Sequence, residues 1–420
     1  MIARARVAPS LSLGVLILTM LAIPDQRARG QAVERGQWEN ILKLVSADVE
    51  KNFYDPRLKG LDWAALTEET RKRINTLDDT GQMILAVSAL LSQLQDSHTY
   101  FVPPRLTAQA DFGFKARAYG NDVRVYEIKK KGPAEKAGLR VGHAILVLNG
   151  VPLDRHNLRE VLRLVTRVVP ARTLELQVAF PGEPPGTVRI PARLITTQEY
   201  QYLGSVWRVV DEQRARDVHV NFSHKEHGNG VLYVSIPTFT ASPDVTYSVI
   251  SRARPAKALI LDLRGNAGGW METTLTFLGF FSDKPELLAR RVSRTGSQDL
   301  TIKPRNPGFQ GSIIVLVDSD TASAAELVSR YLQFSHKAVV LGDVTRGMVS
   351  EGQIIEGKIG ARFVTYFATV VTSATLVMPD GEELEGRGVI PNVHCIPSAE
   401  DLVRGADPCL DKATALATGK

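Results

Sequence analysis

The sequence predicts an α/β protein of several domains, built around a mixed sheet with helices packed on it. Three observations predict it. Apolar runs at 231–236, 258–263, 313–317 and 338–341 are short, continuous and bounded by turn residues, as strands buried on both faces are. Helical periodicities near 271–281 and 322–334 lie between those runs, the alternation that covers both faces of a sheet. Residues 105–196 differ from both flanks, with short strands separated by glycine turns, and so mark an inserted β-rich module.

The elements follow in chain order. Residues 1–32 read as a secretory signal. Arg4 and Arg6 precede an apolar stretch at 11–23, and Gly30-Gln31-Ala32 offers small residues for cleavage after Ala32. The stretch is short for a membrane span, so an uncleaved N-terminal anchor is the secondary reading and the one membrane contact expected. Residues 33–104 form a helical segment. Trp38, Ile41, Leu42, Leu44, Val45 and Val49 recur at helical spacing, and Tyr54-Asp55-Pro56 ends the first helix. A second periodic stretch at 83–94 stops before Gln95-Asp-Ser-His-Thr-Tyr-Phe-Val-Pro-Pro104, where proline forbids helix.

Residues 105–196 carry strands at 123–128 and 144–148, with Gly132-Pro133 and Asn149-Gly150 as turns. One amphipathic helix there presents Leu158, Val161, Leu162 and Val165 on one face. Residues 197–400 form the largest unit, and 401–420 read as a polar tail.

Composition narrows the function. The 420 residues are 44% apolar and 23% charged, with a formal charge of +6. Removing the signal takes away Arg4, Arg6, Arg27, Arg29 and Asp25, leaving about +3, too mild to argue for nucleic acid. The chain is expected to be exported, periplasmic or secreted. Its two cysteines, Cys395 and Cys409, can then pair to clip the tail to the body. His224 and His227 lie in a polar turn without a zinc spacing, and neither metal nor cofactor is expected.

Chemistry enters at Ser323, in Thr321-Ala-Ser-Ala-Ala-Glu326 directly after the buried run 312–318. A strand, a sharp turn and a helix start place a hydroxyl beside amides that have no helical partner, a natural site for developing negative charge. Ser323-Ala-Ala-Glu326 also fits a capping box, in which both side chains only satisfy helix-end amides. Three other segments decide between these readings: Asp96-Ser97-His98-Thr99, the glycine turn Asp262-Leu-Arg-Gly-Asn-Ala-Gly-Gly269, and Leu384-Glu385-Gly-Arg-Gly-Val-Ile-Pro391.

These four, in this order, resemble the S41 peptidases, the tail-specific or C-terminal-processing protease family. The resemblance covers nearly all of the chain beyond the signal and implies that Ser323 is a nucleophile. The inserted module resembles a PDZ domain through Phe112-Gly113-Phe114, similar to its carboxylate-binding loop, and through 132–142. Such domains capture peptide C-termini as an added strand. Many family members use a lysine in a Gly-Lys-Gly motif as the base. Here the matching stretch 342–352 has Met348 at that position, and Arg346 stays protonated. A shifted alignment leaves Lys358 as an alternative.

The tricorn-type branch, which pairs Ser and His with a supporting Glu and a second Ser, is the closer likeness. It implies His98 as general base, Ser97 beside it, and Glu385 orienting the pair, with Glu382 and Glu383 as alternatives for that acid. The amides of Ala324 and of Gly268 or Gly269 would serve the oxyanion. The resemblance thus implies an exported serine endopeptidase acting on polypeptides with accessible C-termini. The alternative is a non-catalytic peptide- or ligand-binding protein on the same scaffold.

Overall fold

The computed structural model describes residues 35–104, 108–196, 222–305, 307–360 and 364–419. The expected signal at 1–32 lies outside them. No helix among the described residues is long and apolar enough to cross a membrane.

The principal sheet has six strands in the spatial order 223–226, 231–235, 258–262, 312–317, 339–342 and 393–394. The first pair is antiparallel and every other pair is parallel, so the sheet is mixed. Its central strands Ala258–Asp262 and Ser312–Val317 are almost wholly buried, which is why they read as unbroken apolar runs. One face is covered by helices Pro243–Ile250, Met271–Leu278 and Ala324–Ser335, which bury Ile250, Phe277, Leu278, Val328, Tyr331 and Leu332.

The opposite face corrects the sequence reading. Residues 401–420 were expected to form a polar tail, but helices Ala399–Arg404 and Pro408–Thr418 are found there. Cys409 and Ala413 are buried against Val231, Ile260, Ile314, Leu316 and Leu341. Four-residue spacing of Cys409, Ala413 and Ala417 makes a narrow apolar stripe, diluted by charged neighbours. The Cys395–Cys409 disulfide joins this helix to the end of the sheet.

A second sheet, absent from the sequence reading, is organised by the thirteen-residue strand Thr365–Val377. It pairs antiparallel with Tyr100–Val102, Glu351–Ile359 and Glu286–Ser293. The N-terminal helices Arg35–Asn52, Trp63–Ile74 and Thr80–Ser92 share a core with it that includes Trp38, Phe101, Phe367 and Val371. This sheet therefore draws the N-terminal segment up to the principal sheet. The β-rich module has its own sheet, ordered 114–119, 122–128, 144–148, 173–179 and 186–191.

Candidate active site

Three loops leave the C-terminal ends of adjacent parallel strands: 263–269, 318–323 and 343–350. Open parallel sheets bind ligands at this edge, because the strands end there and the following loops converge. Ser323 lies in the middle loop, with φ 54° and ψ −125°. That backbone is costly for a residue with a Cβ, by about 1–3 kcal/mol, and persists only when its surroundings enforce it. Here they do. The Asn266 carbonyl accepts the Ala322 N–H at 2.8 Å, and the Glu326 carboxylate accepts the Ser323 N–H at 2.9 Å.

The capping box is therefore only half functional. Ser323 and Glu326 have its loose geometry, yet the serine side chain makes no cap hydrogen bond. The Glu326 N–H is taken by the Ser323 carbonyl at 2.8 Å instead. The hydroxyl is left half-buried beside the start of the helix.

The glycine turn lies directly against this serine. A Cβ on Gly268 would stand 2.6 Å from Ser323 Cβ and 2.9 Å from Ala324 N, and its φ is +94°. Only glycine allows that approach. The expectation that Gly268 lends its amide to an anion is not met, because its N–H donates to Asn266 Oδ1 at 2.8 Å. An Asx side chain capping the backbone two residues on removes the donor. Among the described residues the N–H groups of Gly269 and Ala324 have no hydrogen-bond acceptor.

His98 comes from the other end of the chain. Asp96 Oδ1 accepts its N–H at 3.0 Å and the Thr99 hydroxyl at 3.1 Å, fixing the turn between helix Thr80–Ser92 and strand Tyr100–Val102. Ser97 Oγ lies 2.8 Å from His98 Nδ1. Glu385 Oε1 accepts the Ser97 N–H at 3.2 Å, while Oε2 accepts the N–H groups of Val349 and Ser350 at 2.9 and 3.0 Å. Burial alone would raise the Glu385 carboxyl, but its hydrogen bonds from Ser97, Ser350 and Val349 together hold it below the usual value. Burial lowers the pKa of His98, against the opposing pull of Glu385 and Asp96, so the imidazole is neutral at pH 7.

Loop 343–350 joins the two halves. Glu326 accepts from Thr345 Oγ1 and Gly347 N at 2.6 Å and from Met348 N at 2.9 Å, besides Ser323 N. One carboxylate thus binds the serine turn to this loop, and Glu385 binds the same loop to Ser97. Gly352, just beyond it, has His98 Cβ 3.4 Å from where its own Cβ would stand. Sequence reasoning took Glu326 as a helix cap and missed this organising role. The signal was present in the Thr345-Arg-Gly-Met348 turn, rich in amides that need an acceptor. Among the alternatives, Glu382 pairs with Arg387 at 3.3 Å and Glu383 forms a backbone bridge with Val377, whereas the carboxylate that accepts the Ser97 N–H is that of Glu385. Lys358 is exposed on strand Glu351–Ile359, six residues beyond Gly352 and so roughly 20 Å along it.

Phe112, Gly113 and Phe114 lie apart from this cluster, at the start of the module's strand Phe114–Tyr119. Phe112 is buried, and the Gly113 N–H donates to Asp111 Oδ1 at 2.9 Å. The expected carboxylate-binding amide of Gly113 is thus occupied by the same Asx device as at Gly268. The far end of that strand touches the serine loop. Ser319 Oγ donates to the Ala118 carbonyl at 2.5 Å, Arg117 pairs with Asp318 and with Asp320 (2.7 Å), and the Gly120 N–H donates to Asp343 at 2.8 Å.

Residues 230–395 match the model of peptidase family S41, residues 124–178 a PDZ domain, and residues 35–83 the tricorn protease C1 domain. The chain is 25% identical over 366 residues to a chloroplastic C-terminal processing peptidase of Tetradesmus obliquus, covering 83% of this chain and 75% of that one. It is 24% identical over 326 residues to the carboxy-terminal processing protease CtpA of Bacillus subtilis, covering 75% and 64%. The crystal structure of mature CPAF superposes with a TM-score of 0.66 at 16% identity, over 91% of this chain and 97% of that one, a likeness of fold. Residues 230–395 thus form a region of the peptidase family S41 type, a family of serine peptidases, preceded by a PDZ domain that lies between the N-terminal helices and the principal sheet.

Proposed function

We propose that the protein is an exported serine endopeptidase that processes polypeptides near accessible C-termini, with Ser323 as nucleophile and His98 as general base. The observation that carries this reading is the relay Glu385–Ser97–His98, assembled from residues 288 apart in sequence at the same sheet edge as the strained Ser323.

In this reading His98 keeps its proton on Nδ1, which donates to Ser97 Oγ, and leaves Nε2 to accept the Ser323 proton. Glu385 orients the pair and stabilises the imidazolium that forms. The alkoxide attacks the scissile carbonyl, and the same imidazolium returns the proton to the leaving amine. The N–H groups of Ala324 and Gly269 receive the oxyanion. One such donor lowers the barrier by roughly 2.7–4 kcal/mol. Met348 stands where related enzymes carry a lysine, and the imidazole makes a lysine unnecessary.

Substrate tails would add along strand Phe114–Tyr119, whose far end leads to the serine loop through Ala118 and Ser319. Export rests on the signal-like segment at 1–32. The test is hydrolysis of a denatured polypeptide by the purified protein. The wild type should cleave it and Ser323→Ala should not, with both showing the same circular dichroism. Equal turnover by the two proteins would end the proposal.

A further inference from the structure

Arg346 projects from the loop that joins the serine and the histidine. Its N–H donates to the Thr321 carbonyl at 2.9 Å, and its neighbours Thr345 and Gly347 are both bound to Glu326, so its backbone is fixed. Arg346 is half-buried, and its guanidinium makes no hydrogen bond and no ion pair with any described residue. Nearby arginines are all paired: Arg117 with Asp318 and Asp320, Arg155 with Asp343, Arg159 with Asp320, and Arg163 with Glu160.

The acids around Arg346 are already occupied. Asp320 serves two arginines, and Glu326 accepts from four protein donors. Burial and then the neighbouring Arg159 push the Arg346 pKa down, against the opposing pull of Asp320, Glu326 and Glu160, to about 9. A charge partly withdrawn from water without a partner carries a cost that a bound anion would offset. The Arg346 backbone is tied to Thr321, two residues before Ser323, and Val349 and Ser350 of the same loop are tied to Glu385, which also holds Ser97 beside His98, so Arg346 stands on the loop between the serine and the histidine.

We propose that Arg346 is a specificity-determining residue whose unpaired guanidinium binds a substrate carboxylate close to the scissile bond. The proposal rests on the reading of Ser323 as nucleophile for where that bond lies. A planar fork of donors matches a carboxylate in two parallel hydrogen bonds. A polypeptide offers that group from its free C-terminus or from an Asp or Glu side chain.

The test measures kcat and KM for matched fluorogenic peptides with the full-length protein. One pair differs as free acid and C-terminal amide. The others differ as Glu and Gln at each position flanking the cut. The expected result is a preference of roughly 10- to 100-fold for one carboxylate, expressed mainly in KM. Arg346→Met should collapse that ratio to about one, Arg346→Lys should keep part of it, and Arg346→Glu should turn it toward a Lys-bearing peptide. A response to the acid–amide pair assigns the terminal carboxylate, and a response to a Glu–Gln pair assigns a side chain. Either supports the proposal. Wild-type indifference to every exchange, or a preference that persists in Arg346→Met, overturns it. Binding of the same peptides to Ser323→Ala, with and without Arg346→Met, gives the answer without turnover. Labelling of the wild type by a neutral fluorophosphonate reports separately on the nucleophile.

Discussion

Gly268→Ala should abolish most activity while leaving a folded protein. The new methyl would lie 2.6 Å from Ser323 Cβ, 2.9 Å from Ala324 N and 3.0 Å from the Ala322 carbonyl oxygen. None of these can rotate away, because two are backbone atoms and the third is fixed to the nucleophile's own Cα. The φ of +94° adds strain of about 1–2 kcal/mol for any residue with a Cβ. Relief requires the serine turn and the glycine turn to separate, which displaces both the hydroxyl and the Ala324 amide. Loss of that donor alone lowers kcat by roughly 100- to 1,000-fold. Gly138→Ala is the control. Its φ is +86°, but no atom stands within 4 Å of the added methyl. It should share the strain, seen as a modest fall in melting temperature, and keep wild-type kcat. The assay is steady-state peptide hydrolysis beside thermal unfolding for both variants. Wild-type kcat in Gly268→Ala would refute the placement of the oxyanion site.

Three further outcomes are expected. His98→Ala should lower kcat by roughly 100-fold or more, whereas Met348→Ala should keep most activity, since Met348 contributes its backbone N–H to Glu326; initial rates on one peptide distinguish them. Glu385→Gln should lower kcat and move the acid limb of kcat/KM downward. The carboxylate raises the pKa of His98, so removing its charge lets burial depress that pKa further below the ordinary value of about 6.5, and a pH–rate profile reads the shift. Replacing Cys395 and Cys409 by Ser opens a link across 14 residues and should cost about 3 kcal/mol, measured by denaturant unfolding with and without reductant.

The sequence disclosed the principal sheet because its strands are buried on both faces and its helices keep strict periodicity. Its motifs singled out Ser323, His98 and Glu385 as candidates. It concealed the second sheet. Strand Glu351–Ile359 mixes exposed Gly352, Gln353 and Glu356 with half-buried isoleucines, and its partner Thr365–Val377 places the polar Thr369 and Thr372 in buried positions. The C-terminal helix was concealed for a related reason, since a stripe of cysteine and alanine is weakly apolar until the sheet covers it. The blocked amides of Gly113 and Gly268 were legible in principle. Asp111-Phe-Gly113 and Asn266-Ala-Gly268 share one Asx-x-Gly spacing, which directs the first side chain to the third N–H. Arg346 reads as an ordinary loop cation, and only the three-dimensional count of its neighbours reveals that every nearby acid is already engaged.

The most direct measurement is the rate at which a fluorophosphonate modifies the protein as a function of pH, with the adduct mapped by mass spectrometry. The relay predicts a single adduct on Ser323. It also predicts a rate governed by one group titrating below the ordinary histidine value, and near-complete loss of that rate in His98→Ala. An adduct elsewhere, or a rate indifferent to His98, would contradict it.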